Sequence, residues 1–371
     1  MTLDIIVYGL DFFNKIFTFD YEQCYDWDRF INSKSFRILI KRESIFYSNI
    51  DRNIKEKIIE YTDLANNCDL LLIWNEELHD YQFNTCGDKN IYSRVLGNPK
   101  IFAMTGGIIN HELFKLKSST NLSWLEQCVR IYKDLKFKLD ELNPLSPKPF
   151  TFDALLGSQR FHRDFVYKKI TENNLQDRII TSYLNDITSE SWYRDDDVDY
   201  SQYIENKNNY SKLMSSNPIT YYDKPVWIAH VIPFGVYNKS AYTIVTETGY
   251  KNGVSFPTEK TAKPILGKRL FIIFSGQYFL RSLRELGFKT FDSIIDESYD
   301  LVQDNEQRYE KAWNCVEQLL NLPQEYVLEK IKPIVEHNFN HLMNFPFDDF
   351  VKKQCTELLV NRYNESQRIY N

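Results

Sequence analysis

An apolar stretch from Tyr242 runs into Glu247, a loop carrying Gly249, Tyr250 and Gly253 follows, and Thr258-Glu259-Lys260 then opens a helical pattern. These residue types suit one kind of chemistry. In an open α/β sheet, ligands bind beyond the carboxyl ends of the strands. A carboxylate there accepts two hydrogen bonds from a ribose diol. A lysine in the first turn of a helix sits unfavourably beside the positive end of the helix dipole unless an anion joins it. Glu247, Glu259 and Lys260 therefore fit a nucleotide whose diphosphate rests at the helix start, with Glu247 and Lys260 both facing the crevice. Between Glu259 and Lys289 there are seven Lys or Arg against two Glu, in a chain whose formal net charge is −6. The spacing leaves a second arrangement open, in which Glu247 and Lys260 form a surface ion pair and Glu259 caps the helix.

The elements needed to position these residues are visible on both sides of them. Short apolar runs bounded by polar residues predict buried parallel strands at 4–8, 36–40, 69–74 and 100–104. Helical patterns over 54–64 and 122–135 alternate with them, the second with Ser123 as cap and Glu126 three residues on. Three prolines in 141–149 predict a linker and a domain boundary. The alternation then resumes, with helices at 162–173, 259–267, 277–287 and 305–320 and strands at 179–183, 241–245 and 269–275. Trp313, Val316 and Leu320, and likewise Phe279, Leu283 and Leu286, form core-facing stripes. The tail 325–363 reads as helix, kinked at Pro333 and broken near Pro346, and 188–217 as a polar insertion. The fold expected is α/β, with two Rossmann-like domains facing a cleft: 1–145, 146–325, and a helical extension over 326–371 that can cross back to the first domain.

The whole chain sets bounds. Its 371 residues suit two domains. An acidic total does not suit a protein that grips nucleic acid through many phosphates. The six cysteines form no C-x-x-C pair and read as reduced, mostly buried thiols, without zinc or a disulfide framework. The first ten residues lack a basic region and a cleavage site, and no apolar run approaches membrane-spanning length, so a cytoplasmic protein is expected. Phosphate-loop, nucleophile-elbow and dinucleotide-binding glycine motifs are missing, against kinase, hydrolase and dehydrogenase readings.

The segment Thr246-Glu-Thr-Gly-Tyr250 through Thr258-Glu259-Lys260 resembles the donor-site motif of the α-1,3-fucosyltransferases, in which a strand ending Phe-Glu-Asn leads through a Gly/Tyr loop to Thr-Glu-Lys at a helix start. Here Thr246-Glu247-Thr248 replaces Phe-Glu-Asn, and the loop is slightly longer. The resemblance implies a GT-B-type glycosyltransferase in which Glu247 and Glu259 hold the donor ribose and Lys260 the diphosphate, with Tyr250 and Thr258 in the same motif. A similar helix opens that family's donor domain, with an arginine seven residues before an apolar residue. Arg163 and Ile170 have this spacing, and Arg160 and His162 are neighbours able to share the diphosphate. The run 69–78 resembles a strand of the first domain that ends in Asp-Glu-Leu and carries the general base, which makes Glu76 or Glu77 the candidate. His111 is a candidate on the acceptor side. The chain also resembles a group of phage and bacterial proteins with the same Thr-Glu-Lys, strand, Leu286-Gly-Phe-Lys-Thr-Phe291 and Asp296-Glu-Ser-Tyr-Asp300 succession.

What this implies is metal-independent, inverting transfer of a sugar from a nucleotide-sugar, with a GDP-sugar favoured, to a glycan hydroxyl, without a cofactor. Two alternatives stand beside it: a phage-type transferase that modifies hydroxymethylated bases in DNA, and a binding module that retains the nucleotide-sugar fold without catalysis. Asp195, Asp197 and Asp199 contain a D-x-D metal signature but follow no apolar strand, and His337 and His341 lack the intervening glutamate of a zinc helix. Both read as solvated surface.

Overall fold

The computed structural model describes residues 3–8, 36–41, 63, 66, 70–75, 98, 100–110, 117–120, 122–135, 142–158, 160–184, 218–221, 224–227, 231–250, 252–354, 357 and 361. The chain divides into two compact units, 1–123 together with 346–371, and 124–345. This division lies upstream of the proline-rich segment, which packs inside the second unit. There Leu142 is buried, and the backbone of Lys148 exchanges two hydrogen bonds with the side chain of Gln324.

The first unit carries strands β1 (Leu3–Tyr8), β2 (Phe36–Lys41), β3 (Leu70–Asn75), β4 (Ile101–Thr105), β5 (Ile108–Ile109) and β6 (Lys117–Thr120). Five of these form a sheet in the order β2-β1-β3-β4-β6. Every pair in it is parallel. Strand order reverses between β1 and β3, so the carboxyl end of β3 borders a switch point.

The second unit begins within α1 (Ser123–Leu135), at Trp124, and continues with β7 (Phe150–Ser158), α2 (Phe161–Glu172) and β8 (Ile179–Leu184). The hairpin β9 (Pro218–Tyr221) and β10 (Lys224–Trp227) and the single turn α3 (Phe234–Tyr237) follow. Next come β11 (Ser240–Thr246), β12 (Val254–Ser255), α4 (Glu259–Leu266), β13 (Phe271–Phe274) and α5 (Phe279–Glu285). A 3₁₀ turn at Glu297–Leu301 leads to α6 (Asn305–Asn321) and α7 (Gln324–Met343). The parallel sheet runs β8-β7-β11-β13, flanked by helices in a Rossmann-like arrangement. All residues of β11 and β13 are buried, as a sheet covered on both faces requires. Order reverses between β7 and β11, which makes the crevice above their carboxyl ends the natural ligand position.

Strand β7 was not apparent from the sequence. Its apolar run is interrupted by Thr151 and Asp153, and Asp153 is wholly buried. Its partner is Arg269, equally buried, whose Nη2 donates to Asp153 Oδ2 at 2.6 Å. The guanidinium also donates to Thr243 Oγ1, Tyr237 O, Ser240 O, Ser240 Oγ and Tyr242 O. Its flat face lies 4.0 Å from the centre of the Tyr237 ring. One cation thus satisfies groups on β7, on β11 and before β11 from the entry to β13.

The helices are held by internal acids and bases. Asp300 receives the amides of Leu280 and Arg281 and so caps α5. Glu297 receives Phe291 N at 2.6 Å and pairs with Arg284. This is what the Asp296–Asp300 sequence does in the fold. At the other end of α5, His337 donates to Gly287 O and His341 to Leu286 O, so this half-exposed pair caps a helix. Gly287 has φ +91°, and a Cβ there would lie 2.9 Å from His341 Nε2. α7 passes through Pro333 as a single helix and ends at Met343, just before Pro346. The described thiols, Cys128 and Cys315, are buried and free, and burial pushes Cys315 up to about 12. Among the described residues no helix is long and apolar enough to cross a membrane.

Removing one partner of a fully buried ion pair strands the other charge, at about 3–5 kcal/mol. Arg269→Ala is expected to cost that much in urea unfolding, and Arg269→Met combined with Asp153→Asn to recover part of it. A loss below about 1 kcal/mol for Arg269→Ala would show that the pair does not hold the sheet.

Candidate functional site

The loop leaving β11 is built from its carbonyls. Thr246 O accepts Arg163 Nη2 at 3.5 Å, Glu247 O accepts His162 Nε2 at 2.7 Å, and Thr248 O accepts Arg160 Nη1 at 2.9 Å. Gly249 O accepts Ser275 Oγ at 2.7 Å, and Tyr250 O accepts Tyr309 Oη at 2.8 Å. Consecutive carbonyls of an irregular segment rarely all meet side-chain donors, and here the donors come from α2, the end of β13 and α6. Asn252 continues the fastening, with its amide on Gln303 O and its oxygen receiving Gln277 N.

Beneath this loop Glu247 is fully buried, not facing the crevice. Oε1 receives Thr258 N at 3.0 Å and Thr261 Oγ1 at 2.5 Å. Oε2 receives Thr258 Oγ1 at 2.6 Å and Thr248 N at 3.2 Å. The carboxylate therefore sits on the start of α4, where the helix dipole favours it. It ties strand end to helix start and has neither oxygen free for a diol in this conformation. Thr258 is the N-cap, its hydroxyl accepting Lys260 N.

Glu259 is nearly buried, and Lys260 Nζ reaches its Oε1 at 2.5 Å and Thr248 Oγ1 at 3.2 Å. Lys260 keeps part of its side chain in solvent. Tyr250 stacks on the His162 ring at 5.0 Å and 15°.

The first turn of α2 brings Arg160, His162 and Arg163 to the crevice between β7 and β11. A bulge makes this possible. Gly157 has φ +64°, a left-handed conformation, and the β7–β8 register shifts between Leu155 and Ser158. The Arg163 guanidinium lies over Gly157, 3.4 Å from where a Cβ would stand. Burial first, and then the neighbouring Arg160, lower Arg163 to about 9. An anion placed here would relieve both effects. Burial, followed by Arg163, holds His162 well below its usual range, so its ring is neutral. Because its Nε2 faces a carbonyl, Nε2 carries the proton.

The structure thus brings together Arg160, Arg163, Glu247, Tyr250, Thr258, Glu259 and Lys260 in one place. His162, Ser275 and Tyr309 join them, all three outside the Thr246–Lys260 motif. Glu76 and Glu77 follow directly on Asn75, the last residue of β3, and lie outside the described residues, as do His111 and 195–199. Among the described residues no group of three or more His, Cys, Asp or Glu side chains is placed to hold a metal. No protein-family model matches the chain, and no curated protein matches it.

Two consequences can be measured. Each oxygen of Glu247 faces a backbone N–H, so Glu247→Gln must point its NH₂ at one of them. A buried polar group left unsatisfied costs about 1–3 kcal/mol, and unfolding of this variant should show that loss. Full stability would mean the carboxylate is not the anchor described. His162 has a folded pKa below the ordinary 6.5, so the unfolded chain binds more protons. Its share of stability is intact above that value and is lost as pH falls towards the folded pKa, at up to about 1.4 kcal/mol per pH unit. His162→Gln keeps a donor for Glu247 O and should flatten the stability–pH curve in this window. Parallel curves would refute the neutral, buried histidine.

Proposed function

We propose that the second unit binds a nucleotide-sugar by its diphosphate and that the chain is a metal-independent, inverting glycosyltransferase. One observation carries this reading: Arg160, Arg163 and Lys260 converge beside the carboxyl ends of β7 and β11, where the strand order reverses. Arg163 is buried beside the half-buried Arg160, and cations that repel one another favour a doubly charged ligand; guanidinium forks match phosphate oxygens. The resemblance of the Thr246–Lys260 segment to α-1,3-fucosyltransferases points the same way and favours a GDP-sugar bound for a glycan acceptor.

In the transfer, the acceptor hydroxyl oxygen attacks the anomeric carbon as the bond from that carbon to the diphosphate oxygen breaks. The bonding pair leaves with the diphosphate, and the cations stabilise the charge that develops there. The hydroxyl proton passes to a carboxylate, for which Glu76 or Glu77 is the candidate. Glu247 shapes the site in this account by fixing the start of α4, and Glu259, paired with Lys260, is the carboxylate nearer the ligand. The closure of Glu247 on Thr258 and Thr261 equally favours a second reading, a non-catalytic nucleotide-binding module. Hydrolysis of a panel of nucleotide-sugars separates the two, since a module releases no sugar.

Calorimetry against UDP, GDP, CMP and dTDP tests the binding. A charge-assisted hydrogen bond to phosphate contributes about 1.5–3 kcal/mol. Lys260→Ala should therefore weaken the best nucleoside diphosphate by roughly ten- to a hundredfold. If no nucleoside diphosphate binds the wild type at millimolar concentration, or if Lys260→Ala binds like the wild type, the donor site is misassigned.

A further inference from the structure

Phe161 is the first residue of α2, between Arg160 and the buried pair His162 and Arg163, yet it is 48% exposed. Its ring thus stands at the surface beside two residues that the site draws inward. Its ring contact among the described residues is Tyr309, with centroids 6.1 Å apart and planes tilted by 45°. Tyr309 is itself buried and donates to Tyr250 O. Phe161 therefore rests one side on a rigid aromatic that belongs to the clamped loop. The backbone carrying it is fixed by the bonds of Arg160 and His162 to that loop. The turn itself is closed by Arg160 O, which accepts the amides of Arg163 and Asp164.

We propose that Phe161 is the stacking platform for the nucleobase of the ligand whose diphosphate the arginines hold; this rests on the nucleotide reading above. Arg160 bonds Thr248 O, and Tyr309, beside Phe161, bonds Tyr250 O, so the ring borders the same loop as the cations, and a nucleoside leading away from them past the start of α2 would meet it. Stacking on a fixed ring accepts any base, because every base has a π-face. Phe161 thus supplies affinity for a nucleoside and little choice among bases.

The test is calorimetry of wild type, Phe161→Ala and Phe161→Trp with UDP, GDP and inorganic pyrophosphate, with thermal unfolding of each variant alongside. Stacking is lost only where a base is present. Phe161→Ala should bind both nucleoside diphosphates roughly five- to a hundredfold more weakly and pyrophosphate as the wild type does. Phe161→Trp should retain or tighten the nucleotides. The inference is overturned if Phe161→Ala binds the nucleotides like wild type, while the nucleotide reading then stands. It is also overturned if pyrophosphate weakens in step with the nucleotides, since the ring would then be shaping the crevice. If wild type binds no nucleoside diphosphate, both the reading and the inference fall.

Discussion

The second unit depends on a charge placed where a parallel sheet tolerates none alone. Arg269 enters beneath β13 and spends its donors on Asp153 of β7 and on Ser240, Tyr242 and Thr243 of β11. A buried ion pair adds little net stability over apolar residues of the same size, but it discriminates between alignments. Thr243 stands opposite Asp153 in the ladder, and the guanidinium reaches both. A slip of one residue would turn Asp153 to the other face and leave two buried charges apart. Alignment at this end fixes where the strands stop at the other. Gly157 and Thr246 therefore finish close enough for the first turn of α2 to reach across from one strand to the next.

At that other end, cations hold the loop, and the proposed function gives them chemical duty as well. Arg160 and Arg163 repel each other, and carbonyl dipoles of the loop offset part of that cost. A phosphate would compete with those carbonyls for the same guanidinium donors, so binding and loop geometry are coupled through one set of hydrogen bonds. Glu247 stands apart from this competition. Its negative charge is settled on the start of α4, which leaves the positive face to the arginines and Lys260.

Much of this was legible in the sequence, and the failures have physical causes. The apolar run before Glu247 is β11, a helix does open at Thr258-Glu259-Lys260, and Arg163 and Ile170 share the buried side of α2. Local pattern governs those features. Strand β7 escaped because Asp153 is acceptable only with Arg269, 116 residues away, and no local pattern carries that distance. The depth of Glu247 escaped for a similar reason. A carboxylate at a strand end looks ligand-facing until two threonines on the next helix are seen to close over it. The capping role of His337 and His341 escaped because their acceptors, the carbonyls of Gly287 and Leu286, lie on another helix end. Ser275 and Tyr309 carry no local signal, since their role exists only where three segments meet.

The segment Thr246–Tyr250 is gripped by its backbone oxygens, and oxygens are the same in every amino acid. Its shape is thus written elsewhere, in Arg160, His162, Arg163, Ser275 and Tyr309. Side chains of the segment do other work: Thr248 Oγ1 meets Lys260, the Tyr250 ring stacks on His162, and Glu247 closes on the start of α4. The path of the backbone answers to the five donors. A motif search that reads letters along the loop misses those donors, and departures such as Thr246-Glu247-Thr248 say little about whether the architecture underneath has changed.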